Sequence, residues 1–202
     1  MRRRPIGQPV SADDLLARTR DRLTRAHRRL LDYARQQGAR VVAATVVVLL
    51  AYDRYVACVW SGDSRLYRIR DGRLSQLNHD HNEVGELLAR GAISHQEAAD
   101  WQGRNAVTRA VGVYDELETD ILYGDLRDGD TFVLCSDGLT LHLADEDIKR
   151  LTDHAPVDEA ADAMISLALE RGGKDNVTVI VVRARSLPEE AGPFEPGWRP
   201  DQ

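Results

Sequence analysis

An α+β fold with antiparallel sheets is the architecture this sequence predicts. Three observations carry that reading. A long amphipathic helical pattern comes first, several short apolar segments joined by tight turns follow, and two further helical patterns cluster towards the end instead of alternating with strands. Strands grouped with strands, and helices with helices, favour antiparallel sheets over a βαβ-wound parallel sheet.

The elements read in order as follows. Ser11 is placed as a helix N-cap, with Asp13 and Asp14 in the first turn. Leu15, Leu16, Leu23, Leu30, Leu31 and Ala34 recur at helical spacing, arginines fill the other face, and Gly38 supplies a stop. Residues 43–51 form a continuous valine-rich run, predicted as a strand buried on both faces. Strands are expected over 55–60, 65–70 and 73–76, with Asp71-Gly72 as a hairpin turn. Residues 78–105 are polar with helical stretches at 84–90 and 95–101 and read as an insertion. Strands at 117–126 and 131–135, helices at 145–151 and 157–171, and a last strand at 176–182 complete the pattern. No internal repeat is present. Residues 1–10 read as a flexible tail, 11–186 as one domain, and 187–202, with four prolines and two glycines, as a disordered tail.

Composition narrows the function classes. The chain has 202 residues, 43% of them hydrophobic and 30% charged, an ordinary globular mixture. A net charge of −6 speaks against non-specific nucleic-acid binding, which needs a basic face. Cys58 and Cys135 sit inside apolar runs without metal or redox spacing and read as core thiols in a reducing compartment. Arg2-Arg3-Arg4 is not followed by an apolar stretch, so no signal peptide is read there. The longest apolar run, 41–52, is shorter than the roughly 20 residues a bilayer needs. A cytoplasmic protein without a membrane partner is expected.

Three aspartates are placed to carry chemistry. Asp63 lies in Ser61-Gly-Asp-Ser64, Asp137 in Cys135-Ser-Asp137-Gly138, and Asp175 in Gly172-Gly-Lys-Asp175-Asn176. Each stands at the boundary of an apolar strand, where a carboxylate can face an opening, and hard divalent cations prefer such oxygen ligands. Taken singly, each reads as a turn residue. Asn78-His-Asp-His81 reads as a solvated turn rather than a metal cluster. Neither a Gly-x-Ser-x-Gly elbow nor a phosphate-binding loop is present.

Five segments taken together carry a family resemblance. Trp60-Ser-Gly-Asp-Ser-Arg65, Asp80-His81, Asn105-Ala-Val-Thr-Arg-Ala-Val-Gly112, Leu134-Cys-Ser-Asp-Gly-Leu139 and Gly173-Lys-Asp-Asn-Val-Thr178 resemble, in order and spacing, the successive motifs of bacterial metal-dependent protein phosphatases of the 2C type. The resemblance implies two packed antiparallel sheets flanked by helix pairs. It also implies a site with two Mn²⁺ or Mg²⁺ ions, whose bridging water attacks a phosphoserine or phosphothreonine phosphorus in line. By motif, Asp137 and Asp175 correspond to ligands of one metal, and Asp63 to an aspartate that shares a third, weaker metal with Asp137. Residues 82–103 correspond to a flap beside the active site. Trp60 before the Ser-Gly-Asp-Ser motif, together with the preceding apolar run, resembles the subgroup linked to type VI secretion, where a serine/threonine kinase is opposed.

The sequence departs from the family pattern at its front. Asp-Gly-x-Gly-Gly, whose aspartate bridges both metals, and the strand arginine that grips the substrate phosphate are both missing. Arg104 and Arg109 are weak phosphate candidates, and support of the flap or pairing with acids is the alternative role for them. The domain is therefore expected to be N-terminally incomplete, with open sheet edges and weak activity. Three explanations stand beside one another: a truncated phosphatase, a degenerate domain that binds phosphoproteins or regulates a partner without catalysis, and a domain completed by a second chain.

Overall fold

A computed structural model describes residues 11–99, 101 and 106–186. The expected tails, 1–10 and 187–202, and the candidate Arg104 lie outside the described residues.

The chain opens with helix α1 (Ala12–Gln37), capped by the Ser11 hydroxyl, which accepts from the Asp14 N–H, and closed by Gly38 at φ 62°. Strands β1 (Val46–Tyr52) and β2 (Tyr55–Ser61) form an antiparallel hairpin, and β5 (Asp120–Asp125) joins β2 on its other side, giving a sheet of order β1-β2-β5. Strands β3 (Arg65–Arg70), β4 (Arg73–Gln76), β6 (Thr131–Cys135) and β7 (Val179–Arg183) form a second antiparallel sheet of order β4-β3-β6-β7. The β3–β4 turn places Asp71 and Gly72 both at positive φ, the type I′ geometry expected of Asp-Gly. Between β4 and β5 lie helices α2 (Glu83–Ala89) and α3 (His95–Ala99), within the expected insertion. Helices α4 (Asp137–Thr140), α5 (Asp145–Thr152) and α6 (Val157–Glu170) follow β6.

Alternation along the strands sorts the core into two layers. Cys58 and Trp60 of β2 meet Leu66 of β3 and Phe132 and Leu134 of β6 between the sheets. The opposite face of the second sheet, with Tyr67, Val133 and Cys135, packs on Ile148 of α5 and on Ala160, Met164 and Ala168 of α6. The outer face of the first sheet, at Leu50, Ala57 and Tyr123, lies against Leu15 and Leu16 of α1.

Two expectations need correction. The run at 43–51 is not buried on both faces: the strand begins at Val46, and none of its residues is fully buried. Its place at the margin of a three-stranded sheet explains this, since one edge has no neighbouring strand among the described residues. The short helix α4 was unforeseen, because Ser136-Asp137-Gly138 reads as a turn.

Among the described residues, the sandwich is open on one side. Ile180 and Val182 of β7 sit directly opposite Leu134 and Phe132 of β6 and share their face. Leu134 and Phe132 are buried between the sheets, yet Ile180 and Val182 remain 53% and 42% exposed. The first sheet does not extend far enough to cover them.

A candidate metal-binding cleft

Strand ends and the inserted helices enclose a cleft of about 600 Å³ lined in part by Asp63, Asp80, Asp137 and Asp145, with Arg65 at its wall and the insertion residues Leu88 and Ala98 along its rim. Each aspartate is delivered by a different break in the backbone. Asp63 follows β2 through Gly62, whose φ is 120°. A Cβ there would stand 2.5 Å from the Thr45 side chain, so only glycine allows this approach. Asp137 follows β6 directly and opens α4, with Ser136 as the extended residue before it. Asp145 stands in the first turn of α5. Asp80 lies between β4 and α2, where the Gly85 backbone packs so closely that a Cβ would meet the Asp80 carbonyl oxygen at 2.1 Å.

The charges of the cleft are unevenly satisfied. Arg65 grips Asp80 through Nε at 2.9 Å and Nη2 at 2.7 Å, and also donates to the Tyr67 hydroxyl at 3.1 Å. Asp63 is only 8% exposed. Burial first, and then the facing Asp137 carboxylate, push its acid group up to about 6. A buried carboxylate whose ionisation is opposed by a second carboxylate is the electrostatic condition that a divalent cation relieves.

Asp175 is brought to the same corner by packing of its loop. A Cβ on Gly138 would lie 2.3 Å from the Asn176 carbonyl oxygen and 3.6 Å from the Asp175 Cβ. Ser136 ties the two loops together: its Oγ accepts from the Thr178 N–H at 3.1 Å and donates to the Asn176 carbonyl at 3.3 Å. The Asp175 carboxylate accepts from the Asn176 N–H at 2.7 Å. Asp63 and Asp137 thus line one cleft, and Asp175 stands beside Asp137 without lining it.

Among the described residues, the group of three ligand-type side chains with atoms within 4.8 Å of one another is a different one: His79, His81 and Asp120. The expected solvated turn is not what forms here, because His81 is fully buried. Its Nδ1 accepts from the Gly62 N–H at 3.2 Å, so Nε2 carries the proton and donates to Asp120 Oδ2 at 3.2 Å. Burial, then the charge of Arg109, lowers its pKa and holds the ring neutral. With both ring nitrogens used, His81 has no lone pair left for a cation. Trp60 packs its ring on both histidines and donates from Nε1 to the His79 carbonyl at 2.9 Å.

Arg109, a phosphate candidate, spends its guanidinium on three acids: Glu86 Oε1 at 2.5 Å, Asp120 Oδ1 at 3.1 Å and Glu118 Oε2 at 3.6 Å. Asp145 escaped sequence reasoning because it reads as an ordinary first-turn helix acid. Asp80 reads in the sequence as part of a solvated turn, and the Asp80-His81 motif marks it without placing it in a cleft.

Comparison with known proteins bears on this arrangement. The profile of the protein phosphatase 2C family matches residues 3–179. The chain belongs to that family. Among its relatives, the serine/threonine phosphatase stp of Listeria welshimeri is 31% identical over 175 residues, covering 86% of this chain and 69% of the relative. The solved structure of PppA, a key regulatory component of T6SS in Pseudomonas aeruginosa, is 35% identical with a TM-score of 0.78, covering 86% of this chain and 71% of that one. The catalytic domain of the serine/threonine protein phosphatase PstP, solved in complex with two manganese ions, is 30% identical with a TM-score of 0.73, covering 91% and 74%. The chain spans about two thirds of the length of curated relatives it matches, 65% for one from Streptococcus pyogenes and 69% for the Listeria protein. Among the described residues, no helix is long and apolar enough to cross a membrane.

Proposed function

We propose that this chain is the cation-binding and flap-bearing portion of a protein serine/threonine phosphatase, acting on phosphoserine and phosphothreonine in proteins. The observation that carries the proposal is the cleft in which Asp63 and Asp137 face one another with Asp63 pushed up to about 6. The donor set fits a hard divalent cation: four carboxylates, in excess over the one arginine among the described lining residues. Asp137 and Asp175 would hold one Mn²⁺ or Mg²⁺, and Asp63 with Asp137 a weaker one. Bound there, such an ion lowers the pKa of a water and neutralises charge on a phosphoryl group. The chain's own residues supply the rest. Arg65 fixes Asp80 at the wall, and α2 and α3 form the rim that a phosphopeptide would pass. Manganese is favoured by its presence in the PstP structure. Opposition to a serine/threonine kinase in type VI secretion is favoured by the likeness to PppA, and a cytoplasmic location is part of the same reading.

Arg65, the arginine of the cleft lining, is already held by Asp80, so a free phosphate clamp is missing among the described residues. This favours weak turnover by the chain alone, with phosphopeptide binding without turnover as the second reading. Hydrolysis of a phosphothreonine peptide by the purified chain, with and without Mn²⁺, tests both. Slow Mn²⁺-dependent release of phosphate, abolished in Asp137→Ala, is the expected result. Binding of the peptide without release would select the second reading. A chain that neither binds Mn²⁺ nor distinguishes itself from Asp137→Ala would sink the proposal.

A further inference from the structure

A line of hydrogen bonds runs behind the cleft, from the insertion to the loop that carries Asp63. It begins at Glu86, in the first turn of α2. Glu86 Oε1 accepts from Arg109 Nη2 at 2.5 Å, and Arg109 Nη1 donates to Asp120 Oδ1 at 3.1 Å. The other oxygen of Asp120 accepts from His81 Nε2 at 3.2 Å. His81 is then joined to Gly62 twice: its ring Nδ1 accepts from the Gly62 N–H at 3.2 Å, and its backbone N–H donates to the Gly62 carbonyl at 3.0 Å. Gly62 is the residue before Asp63. Glu86, Arg109, Asp120 and His81 do not themselves line the cleft, whereas Asp63 and the α2 residues Val84 and Leu88 do.

Each link is charge-assisted or buried, so the line is stiff. Both of its ends are also packed without slack. Gly85 abuts the Asp80 backbone, and Gly62 abuts Thr45, at distances that leave no room for a methyl group. A tilt of α2 must therefore move Arg109 and Asp120 or break a bond, and the one residue that holds the Gly62 amide is bonded to Asp120.

We propose that Arg109 and Asp120 are positioning residues that couple the placement of helix α2 to the seating of Asp63, so that the helix beside the cleft and its carboxylate shift together. The metal-affinity part of this proposal rests on the reading of Asp63 as a cation ligand. Partners that orient ligands through hydrogen bonds commonly change metal affinity about tenfold or more when removed.

The test uses the full chain and its Arg109→Gln and Arg109→Lys variants, read by amide hydrogen exchange and by Mn²⁺ titration. In Arg109→Gln, exchange is expected to quicken about tenfold both in α2 and at Gly62–Asp63, the amides of β6 staying as in the parent, with a weakening of Mn²⁺ binding by about threefold to tenfold. Arg109→Lys, which keeps one cationic donor towards Asp120, should recover part of both effects. Faster exchange confined to α2, with Gly62 and the Mn²⁺ titration unchanged, would overturn the coupling. If the parent binds no Mn²⁺, the ligand reading of Asp63 fails on its own, and the exchange data still decide the coupling. Should Arg109→Gln not fold, Glu86→Gln with the same two readouts decides it.

Discussion

Strand β3 carries an arginine at each end, and the acids around the two are treated in opposite ways. At the far end, Arg70 donates to Asp130 at 2.7 and 2.6 Å and to Asp125 at 3.1 Å. Hydrogen bonds from Arg70 and Arg127 hold Asp125 down at about 2, and Asp130 is held below the usual carboxylate range despite its burial. At the near end, about 17 Å away along the strand, Arg65 is committed to Asp80, and Asp63 faces Asp137 with its acid group raised. One end is built to satisfy its charges and the other to leave them in conflict. Electrostatic conflict of that kind is retained where a ligand resolves it.

The contrast breaks most visibly at the satisfied end. Asp130 is 1% exposed, so Arg70→Ala would leave a buried carboxylate without its charged partner and with only the Arg127 N–H. A loss of about 3 kcal/mol is expected, read by guanidinium unfolding. A loss below about 1 kcal/mol would show that this end is not the anchor described here.

The opposite sign is expected at the cleft. Asp63→Asn removes the repulsion with Asp137 and should stabilise the metal-free chain by about 1–2 kcal/mol near neutral pH, while weakening Mn²⁺ binding. The two ends also predict different pH limbs. Between about pH 4 and about pH 6, the unfolded chain releases the Asp63 proton before the folded chain does, so this end loses stability as pH rises. Around Asp125 the folded pKa is depressed, so that contribution is present above about pH 4 and fades as pH falls towards 2. Thermal unfolding across this range, without added metal, should fall away on both sides of about pH 4–5. Saturating Mn²⁺ should flatten only the higher-pH limb. Identical profiles for the parent and Asp63→Asn would contradict the assignment.

The smallest effect concerns the open side of the sandwich. Ile180→Thr and Val182→Thr should change stability by less than about 0.5 kcal/mol each, because these side chains are already largely in water. Light scattering of concentrated solutions should nonetheless fall if the uncovered face of β7 drives self-association.

Much of this was legible from the sequence. Short apolar segments and the Asp-Gly turn placed the strands, and the capped leucine pattern placed α1. Asp63 and Asp137, singled out because each stands beside a glycine at the end of an apolar strand, do line one cleft. What could not be read depends on pairings far apart in the chain. His81 looks like a polar loop residue until Gly62 and Asp120, 19 and 39 positions away, close around it. Similarly, 43–51 looks doubly buried because hydrophobicity reports what a strand can bury, not whether a neighbour arrives to cover it. Asp145 carries no local mark at all, since a first-turn helix acid looks the same in sequence whether or not it lines a cleft.

The two cysteines divide the molecule in a way that makes its opening observable. Cys58 lies in β2 of one sheet and Cys135 in β6 of the other, both buried, with burial raising each thiol to about 12. A thiol of that kind is inert to alkylation until the structure around it parts. Each sheet therefore holds its own clock, and the order in which the two sulfurs become labelled tells which half of the sandwich comes apart first.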